Sequence, residues 1–200
     1  PFSGSKPGGN DQNTGGGTCR IVNTLPAVTS LKSLNFGFFC SASAGQTVQG
    51  AQCRLDGIGE FAACDSNNKH TVKDLSDGSH TFEVRYVTST GETSTISSVS
   101  WKTDTTEPTI SITQGQGETL TPSFSYEISE DNLANVTCTL SSAGQIISKI
   151  ENCSSPVTIS SGVEPGKSYV FEVSAKDAAG NTGVASKDLP SIQLGIPVCA

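Results

Sequence analysis

The sequence has little of what several classes of protein require. It contains no run of eighteen apolar residues, so no segment is predicted to cross a bilayer as a helix. Its 12 Lys and Arg residues against 19 Asp and Glu residues give a net charge of −7, which argues against nucleic acid as a partner. Methionine is absent and the chain starts at Pro1 without a signal-peptide core, as expected of a processed secreted protein.

Residues that carry catalysis are also scarce. His70 and His80 are the only histidines, and His80 is in phase with Phe82 in a strand pattern, which predicts a packed or edge histidine rather than a general base. Asp56 and Glu60 share a hairpin tip where water would solvate both carboxylates, unlike the pair of a glycosidase. The sequence therefore predicts that the protein is not an enzyme.

Two halves of the chain repeat each other. Cys53-Arg-Leu-Asp56 and a second cysteine at Cys64 are matched by Cys138-Thr-Leu140 and Cys153, and a Phe-Glu-Val triplet recurs after each pair. The first cysteines lie 85 positions apart and the triplets 89 positions apart. This spacing predicts two independent modules, at residues 19–105 and 106–193, followed by a C-terminal tail at 194–200.

Cysteine and charge are distributed unevenly. Of the seven cysteines, four fall in the two repeated pairs, a pattern typical of disulfides in an oxidising compartment. The protein is therefore predicted to be extracytoplasmic. Residues 106–193 hold four basic against ten acidic side chains, so the second module carries almost all of the negative charge.

Residues 1–18 are predicted to be a flexible linker, because six glycines and almost no apolar side chains cannot form a core. This leader resembles the linker that follows the lipidated cysteine of bacterial surface lipoproteins. The resemblance implies a lipid anchor upstream of Pro1 and a place at the outer membrane, and the alternative is an ordinary inter-domain linker.

Beyond residue 18 the hydrophobic pattern has a period of two, which is typical of strands. Apolar residues alternate with polar ones in four segments, at Leu34, Phe36, Phe38 and Cys40, at His80, Phe82, Val84 and Tyr86, at Phe124, Tyr126 and Ile128, and at Tyr169, Phe171 and Val173. Turn signals such as Asp56-Gly57 and Pro165-Gly166 divide the segments. We therefore predict an all-β protein of two tandem antiparallel β-sandwiches.

Several motifs resemble the bacterial immunoglobulin-like repeats of large surface proteins and adhesins. They are Cys53-Arg-Leu-Asp-Gly57, Phe61-Ala-Ala-Cys64, Leu75-Ser-Asp-Gly-Ser-His-Thr-Phe-Glu-Val-Arg85, Trp101-Lys-Thr-Asp-Thr-Thr-Glu-Pro108 and Asp177-Ala-Ala-Gly-Asn181. The resemblance covers residues 19–193. It implies immunoglobulin-like domains at the bacterial cell surface or in a secreted protein, where such repeats serve as stalks, adhesins or accessory domains of enzymes.

The immunoglobulin-like fold also implies how the cysteines pair. Cys53 with Cys64, and Cys138 with Cys153, would each close the loop after the third strand of a module. An antiparallel pair of first and second strands, with a turn centred near Thr29 and Ser30, would place Cys19 opposite Cys40 and give a third bond. Cys199 is left over and is predicted to be free, the alternatives being an intermolecular bond or a partner in a segment outside this sequence.

In the adhesin repeats that this chain resembles, matching loops bind Ca²⁺. The residues here are Asp104, Glu107, Asp131, Asp177 and Asn181, which supply the carboxylate and amide oxygens that calcium prefers. They are expected to gather at the junction of the modules. The alternative is a turn in which Asp177 caps its own loop and Asn181 adopts a left-handed conformation.

Together these features predict a non-catalytic structural or adhesive protein of tandem immunoglobulin-like modules, which binds a cell-surface protein or a glycan. The alternative is a carbohydrate-binding accessory module of a secreted enzyme or adhesin tip. Such modules present exposed aromatic rings, and the main candidates for exposure are Phe39 and Phe61. This shortage favours the structural role.

Overall fold

The computed structural model describes residues 17–114 and 120–191, which form strands and turns but no helix. The chain divides into two compact units between Asp104 and Thr105, one residue before the predicted boundary. The predicted linker 1–18 lies outside the described residues except for its last two, and Thr18 already begins the first strand. The predicted tail 194–200 also lies outside them. The described ranges contain no helix long and apolar enough to span a membrane.

The first unit is a sandwich of two sheets. Its strands are β1 (Thr18–Ile21), β2 (Val28–Thr29), β3 (Leu34–Ser41), β4 (Val48–Leu55), β5 (Ala62–Ala63), β6 (Lys69–Val72), β7 (Gly78–Thr88) and β8 (Ser97–Thr103). One sheet has the order β1-β3-β6 and the other β2-β8-β7-β4-β5. The core lies between them, because each strand turns its apolar positions inward.

The aromatic core of this unit follows the predicted alternation. Phe36 and Phe82, from opposite sheets, are fully buried, and their rings stack with centroids 4.2 Å apart. Trp101 packs on Phe36 at 5.3 Å. Burying one such side chain stabilises a fold by roughly 1.5 to 3 kcal/mol, so these few rings supply much of the driving force of a small domain.

The first strand region differs from the expected simple hairpin. The register of β1 on β3 does place Cys19 opposite Cys40. Between them, however, β2 leaves this sheet and pairs in parallel with β8, so that Val28 faces Lys102. The pairing of β1 with β3 ends at Ile21, and Pro26, which has no N–H to donate to a ladder, lies in the connection to β2. The predicted centre of the turn is therefore a short strand in the opposite sheet.

The second unit repeats this architecture. Its strands are β9 (Thr109–Gln114), β10 (Ser123–Ser129), β11 (Leu133–Ser142), β12 (Gln145–Glu151), β13 (Val157–Thr158), β14 (Tyr169–Asp177) and β15 (Thr182–Leu189). The sheets have the orders β13-β10-β9 and β12-β11-β14-β15. Phe124 and Phe171 stack across the core with centroids 4.0 Å apart. The predicted fold class, two tandem β-sandwiches, is confirmed.

One glycine of the second unit is required by close packing. A Cβ atom at Gly183 on β15 would lie 1.9 Å from the carbonyl oxygen of Pro108, which precedes β9. No side chain fits at that distance, because the obstacle is backbone and cannot rotate away. Gly183 therefore allows the start of β9 to lie against β15.

Candidate functional site

The structure contains the three disulfide bonds that the sequence predicts. Cys19 is bonded to Cys40 across neighbouring strands of one sheet, while Cys53–Cys64 and Cys138–Cys153 each close the loop after the third main strand of a unit. Cys138 is 1% exposed, so this bond belongs to the core. Cys199 lies outside the described residues. Three internal disulfides indicate an oxidising environment, and the protein is therefore extracytoplasmic.

The loop from Asp177 to Asn181, one of the predicted calcium segments, is organised by the Asp177 carboxylate. Its Oδ1 accepts hydrogen bonds from the backbone N–H groups of Gly180 at 2.7 Å and Asn181 at 2.8 Å, and its Oδ2 accepts one from Asn181 Nδ2 at 2.7 Å. The side chain of Asp177 is buried at 2% exposure. Gly180, not Asn181, takes the left-handed conformation, with φ of 100°. Asp177 and Asn181 are thus together, joined by a backbone and a side-chain hydrogen bond.

The neighbouring loop of the same unit is joined to this one by its backbone. Ala178 N–H donates to the carbonyl of Asn132 at 2.8 Å, and Asn132 N–H donates to Glu130 Oε1 at 2.8 Å. Glu130 is half-buried, whereas Asp131 is exposed. Asp131, the predicted ligand of this loop, stays a prediction, and its neighbour Glu130 is the residue whose carboxylate accepts a backbone hydrogen bond within the loop.

Two further predicted calcium ligands are Glu107 and Asp104. Glu107 is an exposed side chain of the second unit. Asp104 ends the first unit, where its backbone N–H donates to Thr29 O and its Oδ2 accepts a hydrogen bond from Lys102 Nζ at 3.1 Å. The oxygen-rich chemistry of the predicted set fits Ca²⁺. The Asp177 carboxylate accepts three protein hydrogen bonds, and calcium binding stays a prediction.

His80 is the buried histidine that the strand pattern predicts. Its Nδ1 lies 2.8 Å from Asp56 Oδ2 and its Nε2 lies 2.8 Å from Ser76 O, so both ring nitrogens face acceptors. Burial lowers the pKa of His80, but the hydrogen bonds to Ser76 and Asp56 outweigh it and raise the pKa above its ordinary value. The ring also packs on Trp101, with centroids 5.5 Å apart. This set holds the end of the sandwich together and leaves neither nitrogen for a substrate.

Asp56 is engaged in the same network and not with Glu60. Its Oδ1 accepts the backbone N–H of Thr81 at 2.7 Å, and its own N–H donates to Thr81 O. Asp56 has φ of 55°, at a turn where the side chain reaches back to β7. Glu60 is exposed. The carboxylates therefore have different roles, as expected of residues outside a glycosidase pair.

The two aromatic candidates for exposure differ. Phe39 is 69% exposed on the outer face of β3. Phe61 is half-buried, and the guanidinium groups of Arg54 and Arg85 lie 4.4 Å and 4.1 Å from its ring centroid. These cation–π contacts take up ring surface that a sugar would need. Phe39 alone keeps the exposure expected of a binding platform.

Comparisons with known proteins agree with the fold. No protein-family model matches the sequence, and the search of curated proteins gives no match. Among solved structures, part of a 1.5-MDa bacterial ice-binding adhesin, studied for its retention at the host cell surface, is similar with a TM-score of 0.51 and 16% identity, over 90% of this chain and 66% of that one.

Fibronectin(III)-like modules of Clostridium thermocellum CbhA are similar with a TM-score of 0.43 and 15% identity, over 88% of this chain and 95% of that one. A two-domain fibronectin type III segment of chicken tenascin gives a TM-score of 0.41 and 10% identity, over 87% and 98% of the two chains. The adhesin match and the sheet order agree with an immunoglobulin-like β-sandwich fold for this chain.

Proposed function

We propose that this chain is a non-catalytic, modular part of a bacterial cell-surface or secreted protein, with a structural or adhesive role. The observation that carries the proposal is the repetition of one sandwich, with a disulfide in the same loop of each unit. Each bond adds roughly 2 to 3 kcal/mol of stability through loop closure, which is valuable to a small domain because its core alone provides little stability.

The surroundings of the titratable groups support a role without chemistry. His80 and Asp56 satisfy each other, and the six described cysteines are oxidised and cannot act as nucleophiles. Modules of this fold bind or space other parts of a protein, and their function depends on the surface that each one presents. A cell-surface protein or a glycan is the partner that suits this role.

Thiol labelling of intact cells tests the proposed location. In the organism that encodes the chain, a membrane-impermeant maleimide should label the six paired cysteines only after reduction, and an antibody should reach the protein from outside. Labelling that requires lysis but no reduction would contradict the proposal, because it would place reduced cysteines in the cytoplasm. Metabolic labelling with palmitate tests the separate prediction of a lipid anchor upstream of Pro1.

A carbohydrate-binding accessory module is the second candidate, and the exposure of Phe39 favours it. A large aromatic side chain at 69% exposure in the middle of a strand has no role in the core. Exposed rings of this kind are typical of sites that stack sugars. The candidates differ in what the module contacts and not in its fold, so they require a binding experiment.

A further inference from the structure

The outer face of the sheet β1-β3-β6 presents an aromatic ring to solvent. Along β3, Phe36 and Phe38 point into the core, so Asn35, Gly37 and Phe39 point outward. Phe39 is 69% exposed, whereas Phe38 beside it is 1% exposed. The side chain of Phe39 thus contributes little to the core.

Positive charge flanks this ring on both neighbouring strands. The β1–β3 register places Arg20 directly opposite Phe39, and the β3–β6 register places Lys69 opposite Gly37. Side chains at opposed positions of antiparallel strands lie about 5 Å apart at Cβ, so both cations border the outward row of β3. Arg20 and Lys69 are exposed.

A cleft of about 380 Å³ lies around Gly37, two positions before Phe39 on β3. It is lined by Val22, Asn23, Asn35, Gly37, Asn68 and Lys69. Gly37 has no side chain to fill it, and a Cβ atom there would lie 3.2 Å from Val22 Cγ2. The glycine therefore lets Val22 and Asn23 approach the backbone of β3 closely at this point.

Hydrogen bonds fix the amide groups of this cleft. Asn23 Oδ1 accepts Gly37 N–H, and Asn23 Nδ2 donates to Asn35 O at 3.0 Å. Asn35 Oδ1 accepts the hydroxyl of Thr71 at 2.8 Å. Fixed amides lose little conformational entropy when a ligand binds, which makes them effective partners for hydroxyl groups.

The charged side chains around this face indicate the charge of the ligand. Asp65 lies beside β6, where its Oδ2 accepts Thr71 N–H and its Oδ1 faces His70 Nδ1 at 3.2 Å, so its negative charge is directed to these two partners. The residues opposite Phe39 and Gly37 are both cations, in a chain whose net charge is −7. A local positive patch on an acidic protein favours an anionic partner.

We propose that this face binds a carboxylate-bearing polysaccharide, with one sugar ring stacked on Phe39, its carboxylate near Arg20 or Lys69, and its hydroxyls on the amides of the cleft. A saccharide suits the face better than an acidic peptide, because a sugar ring offers a flat C–H surface that a Glu or Asp side chain lacks. This inference names a ligand class for the adhesive role and rests on that proposed function for its setting.

Affinity electrophoresis of the purified 200-residue chain tests the proposal. In native gels at 150 mM NaCl, polygalacturonate should retard the protein more than dextran, which is neutral, and more than poly-glutamate or dextran sulfate. Phe39→Ala should weaken the retardation by polygalacturonate about tenfold through loss of the stacked ring, and Phe39→Tyr should preserve it. Lys69→Ala and Arg20→Ala should each weaken it several-fold.

Ile58→Ala is the matched control, because Ile58 is an apolar side chain of the same unit with 78% exposure and no part in this face. It should bind like the unaltered chain, and all variants should keep its melting temperature. Equal retardation by poly-glutamate or dextran sulfate would overturn the proposal, as would full binding by Phe39→Ala or no retardation of the unaltered chain. Surface exposure of the protein on cells is measured separately, so it can hold even where this binding fails.

Discussion

Replacing His80 by glutamine should destabilise the first unit, and by more at low pH than at high pH. The imidazolium donates one hydrogen bond to Asp56 Oδ2 and one to Ser76 O, both at 2.8 Å. Hydrogen bonds that involve a charged group contribute about 1.5 to 3 kcal/mol. Since glutamine keeps neither the charge nor both contacts, we expect a loss of about 2 kcal/mol at pH 5.5.

The sign of the pH dependence follows from the pKa of His80, which the folded structure raises. The protonated ring is stabilised by folding, so this stability is fully present below the unfolded pKa of about 6.5. It is lost as the pH rises through the folded pKa. Each unit by which the folded pKa exceeds the unfolded one corresponds to about 1.4 kcal/mol.

Trp101 provides the assay. It is the single tryptophan of the chain, and its ring centroid lies 5.5 Å from that of His80, so its fluorescence reports the first unit. Urea unfolding would be followed between pH 5.5 and 9 for the unaltered chain and for His80→Gln. The difference in unfolding free energy between the two should shrink as pH rises, and contributions from His70 cancel in it. A difference that stays constant across this range would refute the assignment of a protonated His80.

Three further outcomes are expected. Replacing Cys138 and Cys153 together by alanine should lower the stability of the second unit by roughly 2 to 3 kcal/mol in urea unfolding followed by circular dichroism, while the Trp101 transition stays in place; an equal shift of both transitions would contradict independent units. Gly183→Ala should destabilise the second unit by about 1 to 3 kcal/mol because its Cβ meets Pro108 O, whereas Gly50→Ala, which meets no atom within 4 Å, should have a smaller effect. Millimolar Ca²⁺ should raise the melting temperature of the second unit relative to EDTA, and Asp177→Ala should abolish that calcium dependence. Equal melting temperatures of the unaltered chain in the two buffers would contradict calcium binding and show that the acidic loops are only hydrogen-bonded turns.

Alternation and register allowed much of the fold to be predicted. Because strand side chains alternate strictly, Phe36, Phe38 and Phe82 could be assigned to the core from their spacing alone. In an antiparallel pair of strands, the residue numbers of facing positions have a constant sum, and this rule placed Cys19 opposite Cys40. The alternation depends on local sequence alone, whereas the register is correct even though the predicted turn is a strand of the opposite sheet.

Features that depend on distant partners could not be predicted in the same way. The pairing of β2 with β8 depends on which sheet edge has unpaired backbone N–H and C=O groups. A two-residue strand carries no hydrophobic pattern that specifies the sheet it joins. The ring of Phe61 is covered by the guanidinium groups of Arg54 and Arg85, which come from two different strands, so its partial burial could not be predicted from the local sequence. The hydrogen bond from Asn132 N–H to Glu130 rather than to Asp131 could not be predicted either, because adjacent acidic residues are indistinguishable until the loop conformation is known.

The bond between Cys19 and Cys40 also determines how the first unit responds to tension. A pulling force that enters at the first strand passes through the covalent bond into β3, so β1 cannot be peeled from the sheet. The 21-residue separation between the two cysteines would otherwise release about 70 Å of chain at ~3.4 Å per residue. The disulfide keeps that length hidden while it is oxidised, so the same domain is a short, stiff element in an oxidising medium and a far more extensible one after reduction.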